Sequence, residues 1–229
     1  MLNRIVQRKN QRIAFAAICL AVAMLAGKPG GLVGAEAELP EGVIVAMGDS
    51  LTEGLGVSEE NAYPARLEKL LRSGGYAYKV VNAGISGETS SGARSRLRWV
   101  LKLEPDIVIL ETGANDGLRG IDPRLMRENI SEMLQQLTAR DVVVVLAGMK
   151  MLANLGPQYT DAFEKAYDEA ARGYDVIRVP FFLEGVAGSP RLNQADGIHP
   201  TAEGYAVIAA NLYPFAIKAI ERHRRKIAN

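Results

Sequence analysis

The chain has 229 residues, enough for one domain with a sizeable core. Its hydrophobic fraction of 48% and charged fraction of 23% are those of a globular protein and exclude a disordered or fibrous chain. A formal net charge of +1 gives no electrostatic reason to expect nucleic acid as a partner.

The N-terminus has a distinct composition. Arg4, Arg8, Lys9 and Arg12 form a basic leader, followed by an uncharged, mostly apolar run of 15 residues from Ile13 to Gly27 and then Val33-Gly34-Ala35. This is the layout of a signal peptide over residues 1–35 with cleavage after Ala35. The apolar run is short for a spanning helix, which needs about 20 residues; an uncleaved N-terminal anchor is the alternative. Five of the 27 basic residues and none of the 26 acidic ones lie in 1–35, so the mature chain would carry a net charge of −4. The single cysteine, Cys19, lies within the apolar run. Cleavage would therefore leave no thiol, and neither a disulfide nor a cysteine nucleophile is expected. With His199 and His223 as the only histidines, a zinc site is not expected either.

Residues 36–41 read as a linker, and the globular part is predicted over 42–222 with a basic tail at 223–229. Val43-Ile44-Val45-Ala46-Met47 is a short apolar run between Gly42 and Gly48, the pattern of a buried strand. Gly48-Asp49-Ser50-Leu51 follows at its carboxyl end, the side on which open α/β sheets bind ligands. Ser50 could cap the next helix or face a substrate. An amphipathic helix is predicted from Asn61 to Arg72, ended by Ser73-Gly74-Gly75. A second strand, Tyr78 to Val81, runs into the loop Asn82-Ala83-Gly84-Ile85-Ser86-Gly87-Glu88-Thr89. The next helix spans about Thr89 to Leu103, with Arg94, Arg98 and Lys102 on a solvated face and Trp99 read as a packing residue.

A third strand, Asp106 to Glu111, ends in Thr112-Gly113-Ala114-Asn115-Asp116-Gly117. Pro123 opens a helix to about Arg140. Val142 to Leu146 is a fourth strand, followed by a loop to Thr160, a helix from Asp161 to Ala171 and a fifth strand from Asp175 to Val179. The loop Asp196-Gly197-Ile198-His199-Pro200 precedes a last helix from about Thr201, which Pro214 should kink or divide. Strands alternating with helices predict a parallel sheet covered on both faces, so the loops after the first three strands open on one edge.

A serine nucleophile needs a base, usually a histidine oriented by a carboxylate. His223 sits among Arg222, Arg224 and Arg225, whereas His199 has Asp196 three residues before it on a glycine-containing loop. That spacing would let Asp196 hold one ring nitrogen while the other faces Ser50. Acyl transfer also needs donors for the carbonyl oxygen. The candidates are the backbone N–H groups of Ser50 and Gly87 and the side-chain amide of Asn115; in isolation, Gly87 reads as a turn and Asn115 as a turn cap.

Taken in order, Gly48-Asp49-Ser50-Leu51, Gly87, Gly113-Ala114-Asn115-Asp116 and Asp196-Gly197-Ile198-His199-Pro200 resemble the four blocks of the SGNH branch of the GDSL hydrolases. The resemblance covers about residues 42–220. It implies a flavodoxin-like three-layer α/β/α sandwich with a five-stranded parallel sheet of order 2-1-3-4-5. It also implies Ser50 as nucleophile, His199 as base, Asp196 as its orienting partner, and Ser50, Gly87 and Asn115 as the oxyanion hole, with no cofactor or metal. Asn82 to Thr89, Asn115-Asp116-Gly117-Leu118-Arg119-Gly120, and Ala153-Asn154-Leu155-Gly156 with Tyr159 are most similar to bacterial periplasmic thioesterases, lysophospholipases and arylesterases. Position 84 is often serine in that subgroup, so Gly84 is a departure that could alter the loop.

The implied substrates are small acyl esters or thioesters. Met149, Leu152, Leu155 and Ile198 are candidates for contact with the acyl chain; core packing is the competing reading for the methionine and leucines. The mature protein is expected in the periplasm or secreted, as a monomer. It would meet a membrane only through an uncleaved N-terminus, which would hold it at the inner membrane, or through a lipid substrate. Within the family, sugar O-deacetylation and acyl transfer are the competing activities, and a non-catalytic binding domain is the remaining one.

Overall fold

The computed structural model describes residues 40–151 and 153–228. The leader, the cleavage point near Ala35 and Leu152 lie outside the described residues. Among those described, no helix is long and apolar enough to cross a membrane.

Five strands, β1 (Gly42–Gly48), β2 (Tyr78–Gly84), β3 (Ile107–Glu111), β4 (Val143–Ala147) and β5 (Ile177–Val179), form one sheet in the order β2-β1-β3-β4-β5. All four pairings are parallel. This is the predicted sheet. Its central strands are apolar on both faces because helices cover both: every residue of β3 and β4 is buried. Helices α1 (Ser50–Glu53), α2 (Tyr63–Ser73), α3 (Ser90–Leu101), α4 (Ala114–Leu118), α5 (Pro123–Thr138), α6 (Pro157–Ala171) and α7 (Ala202–Ala228) make up the rest of the framework. Leu67 and Leu71 of α2 are fully buried, a burial worth about 1.5–3 kcal/mol for each side chain.

The order reverses at β1, which has β2 on one side and β3 on the other. The crevice outside the carboxyl ends of β1 and β3 is where such a sheet binds ligands. Asp49 to Ser50 and Gly113 to Asn115 leave the sheet at that crevice.

Several local expectations change. Strand β2 runs on to Gly84 because it pairs with β1 along its whole length, from Gly42↔Tyr78 to Gly48↔Gly84. Helix α6 starts at Pro157, four residues before the expected Asp161, with proline in the first turn, where its missing N–H costs nothing. Trp99 is 71% exposed, with Lys102 Nζ 4.6 Å from its ring centre, so it does not supply core packing. Pro214 leaves α7 undivided. The basic end is helical through Ala228 and is not wholly solvated: His223 is buried, its Nδ1 lies 2.8 Å from Tyr78 Oη, and its Nε2 lies 3.4 Å from Asp106 Oδ1. Helical periodicity carries His223 onto the inner face of α7, a placement that its arginine neighbours in sequence hide.

Candidate active site

The turn after β1 carries Ser50. Asp49 caps α1: its Oδ1 accepts the Leu51 N–H at 2.9 Å. Asp49, not Ser50, is therefore the cap, and the serine hydroxyl is left for another partner. Gly48 has no room for a side chain, since a Cβ there would collide with Thr52 Oγ1 and Glu111 Oε2. Ser50 is 8% exposed, enough to reach a ligand from an otherwise buried turn.

His199 comes from the loop before α7. Gly197, at φ +69°, makes the tight turn. Asp196 Oδ1 accepts the backbone N–H groups of Ile198 (2.9 Å) and His199 (3.0 Å), while Oδ2 lies 2.7 Å from His199 Nδ1. The other ring nitrogen, Nε2, lies 2.9 Å from Ser50 Oγ. Gln194 ties this loop to the turn after Ser50 by donating to the Leu55 carbonyl at 2.7 Å. The His199 ring, then the two backbone N–H groups, hold the Asp196 carboxyl well below the usual carboxylate range.

Asn115 lies in the first turn of α4, and its Nδ2 donates to Asp49 Oδ2 at 3.0 Å. One amide hydrogen is thereby fixed and the second remains available. Asp116 beside it accepts the Ser90 N–H (2.7 Å) and hydroxyl (2.6 Å), which locks this segment to the start of α3. Gly87 has φ +76°, and Arg119 donates to its carbonyl at 2.8 Å. Among the described residues, no backbone or side-chain acceptor takes the Gly87 or the Ser50 N–H. A half-buried pair, Arg96 with Glu88 at 2.6 Å, braces the Gly87 loop, and Arg96 also reaches the Gly48 carbonyl at 3.2 Å.

The profile of the GDSL-like lipase/acylhydrolase family matches residues 46–207, a span that takes in every one of these residues. The chain belongs to this family. The hydrolase is 41% identical over 172 residues to the esterase TesA of Pseudomonas aeruginosa strain PAO1, covering 75% of this chain and 86% of that protein. It is 38% identical over 167 residues to the thioesterase 1/protease 1/lysophospholipase L1 of Escherichia coli strain K12, covering 72% and 79% respectively. Its fold matches the crystal structure of AlinE4, an SGNH-hydrolase family esterase, with a TM-score of 0.65 at 41% identity over 77% of this chain and 95% of that one.

The structure thus brings Ser50, Asp196, His199, Gly87 and Asn115 of this GDSL hydrolase to one sheet edge. The apolar candidates separate. Ile198 (41% exposed) and Leu155 (39%) are accessible, and Leu155 borders a hollow of about 610 Å³ with Pro123, Pro157 and Tyr159. Met149 is buried in the core at 3% exposure, which removes it from the acyl-contact set. Among the described residues, no group of three acidic, histidine or cysteine side chains could hold a metal ion. Asp49 and Glu111 contact the candidate site, and sequence reasoning passed over both. The available signal was an acid closing the fully apolar strand Ile107 to Leu110, since a buried carboxyl needs a reason to be there.

Proposed function

We propose that the chain hydrolyses carboxylic esters and acyl thioesters through an acyl-enzyme on Ser50. The reading is carried by the continuous contact chain from Asp196 through His199 to Ser50, at 2.7 and 2.9 Å. With Nδ1–H donating to Asp196, neutral Nε2 accepts the Ser50 proton as Oγ attacks the carbonyl carbon. The Asp196 charge then stabilises the imidazolium. Charge builds on the carbonyl oxygen, which is received by the N–H groups of Ser50 and Gly87 and the second Asn115 amide hydrogen, each worth about 10²–10³ in kcat. His199 returns its proton to the leaving alcohol or thiol. It then takes one from water as the water oxygen attacks the acyl carbon, and when the bond to Ser50 breaks it hands that proton to Oγ, releasing the acid and restoring the Ser50 hydroxyl.

The names of the relatives, an esterase and a thioesterase/lysophospholipase, support this substrate class. Exposed Leu155 and Ile198 support an acyl chain longer than acetyl. The basic leader and apolar run support export with cleavage near Ala35, which N-terminal sequencing of exported protein would test. A p-nitrophenyl ester series from acetyl to palmitoyl, with a Ser50→Ala control, tests the whole reading. Ser50-dependent activity that rises toward medium or long chains is expected, and acetyl-only activity would instead indicate a deacetylase.

A further inference from the structure

Glu111 closes β3 with no solvent exposure, and the mechanism above leaves it unused. Its Oε2 accepts two hydrogen bonds, from the Asp49 backbone N–H at 3.2 Å and from Thr52 Oγ1 at 2.9 Å. Those two residues flank Ser50 and Leu51, so one carboxyl grips both ends of the turn that presents Ser50. Its Oε1 is buried and has no hydrogen-bond partner. Among the described residues, no lysine, arginine or histidine bonds to it.

The ionisable groups around Glu111 are Asp49 on the turn after β1, Tyr63 on α2 (reached through Thr52), Tyr167 on α6 and Tyr205 on α7. Each is neutral or negative. A fully buried carboxylate with one bare oxygen and a second carboxylate as neighbour is the costly state; the neutral acid is the affordable one. Burial pushes the Asp49 carboxyl up as well, but unlike Glu111 it has the Leu51 N–H and the Asn115 amide donating to it and pulling the other way.

We propose that Glu111 is a positioning residue for ester hydrolysis: held as a neutral carboxylic acid, it clamps the Ser50 turn and, through Asp49, aims the Asn115 amide at the oxyanion. Its neutrality leaves the pair's negative charge to Asp49, where it strengthens the anchor on Asn115. Burial, and behind it the Asp49 charge, push the Glu111 carboxyl well above the usual carboxylate range, in line with this assignment. Gly48 belongs to the same device, since only a residue without a Cβ lets the carboxyl approach the turn.

The inference rests on the hydrolase reading, and the test separates the two. Full-length wild type, Glu111→Gln, Glu111→Ala and Ser50→Ala are compared for kcat and KM on p-nitrophenyl butyrate, for thermal melting, and by infrared difference spectroscopy of wild type against Glu111→Gln at neutral pH. Gln keeps an acceptor oxygen without charge, so its kcat should stay within about threefold of wild type. Ala should lower kcat per folded protein by about 10- to 100-fold with KM within about twofold, because the oxyanion donor is misplaced but substrate binding is not. The infrared difference should show loss of a protonated-carboxyl C=O band. A folded Ala variant with wild-type kcat, a Gln variant as slow as Ala, or loss of a carboxylate band instead would each overturn the proposal. Should Ala fail to fold, the isosteric Gln variant and the infrared band still decide. Wild-type activity that survives in Ser50→Ala would overturn the hydrolase reading itself, while the infrared result would still settle the state of Glu111.

Discussion

Asn115→Ala tests the oxyanion assignment because it should leave two separate marks. The variant removes an amide with one hydrogen fixed on Asp49 Oδ2 at 3.0 Å and the other free for the substrate oxygen. Losing one oxyanion donor costs about 10²–10³ in kcat, or about 2.7–4 kcal/mol of transition-state stabilisation. The donor matters most once charge has formed, so KM should stay within about threefold. The second mark is on stability. Asp49 is 1% exposed and keeps the Leu51 N–H on Oδ1, while Oδ2 loses its donor. A buried acceptor left without a partner costs about 1–3 kcal/mol. For a domain of this size each kcal/mol lowers Tm by about 2–4 °C. Steady-state kinetics on p-nitrophenyl butyrate and a thermal melt read both marks on one preparation. A raised KM with unchanged kcat would refute the argument and make Asn115 a ground-state binding residue.

Gly48→Ala should destabilise the protein by about 1–3 kcal/mol through overpacking against Thr52 and Glu111, as read by urea melts. His223→Ala should cost about 1–3 kcal/mol by leaving the buried Tyr78 hydroxyl without its partner, and kcat should hold because that cluster lies at the amino edge of the sheet; a slowed but stable variant would contradict this. Urea melts against pH should separate the two carboxyls by sign. Asp196 has a depressed value, so its stabilising effect is present above the unfolded value of about 3.9 and disappears as pH falls through the lower folded value. The advantage of wild type over Asp196→Asn should therefore disappear only in strong acid, below the ordinary carboxylate range. Glu111 has a raised value, so its contribution is present below about 4.3 and fades as pH climbs toward the folded value; Glu111→Gln should gain on wild type with rising pH. A pH-independent Glu111→Gln gap would contradict a buried neutral acid.

The sheet and the placement of the candidate site residues were legible because each carries a local signature. Val43 to Met47 and Ile107 to Leu110 are apolar without alternation, as strands covered on both faces must be. Ser50, Gly87, Asn115 and His199 each stand at the end of a strand or just before a helix, where chemistry at a sheet edge has to sit. Geometry added what spacing alone could not fix. Asp-x-x-His says nothing about which carboxylate oxygen meets the ring, and here Oδ1 holds the loop while Oδ2 holds Nδ1. Glu111 was illegible as a partner of Asp49 because 62 residues separate them and only the β1–β3 pairing brings them together. Met149 and Trp99 illustrate the reverse error. Residue type suggested a substrate contact for one and packing for the other, and the register of the chain buried the first and exposed the second.

The most direct test of the central claim is hydrolysis of p-nitrophenyl butyrate by the full-length chain beside its Ser50→Ala variant, with both confirmed folded by thermal melts. If Ser50 is the nucleophile and Asp196–His199 its activating pair, the variant should lose at least about 10³-fold in kcat with its fold intact. A folded Ser50→Ala protein that keeps most of the wild-type rate would contradict the account at its root.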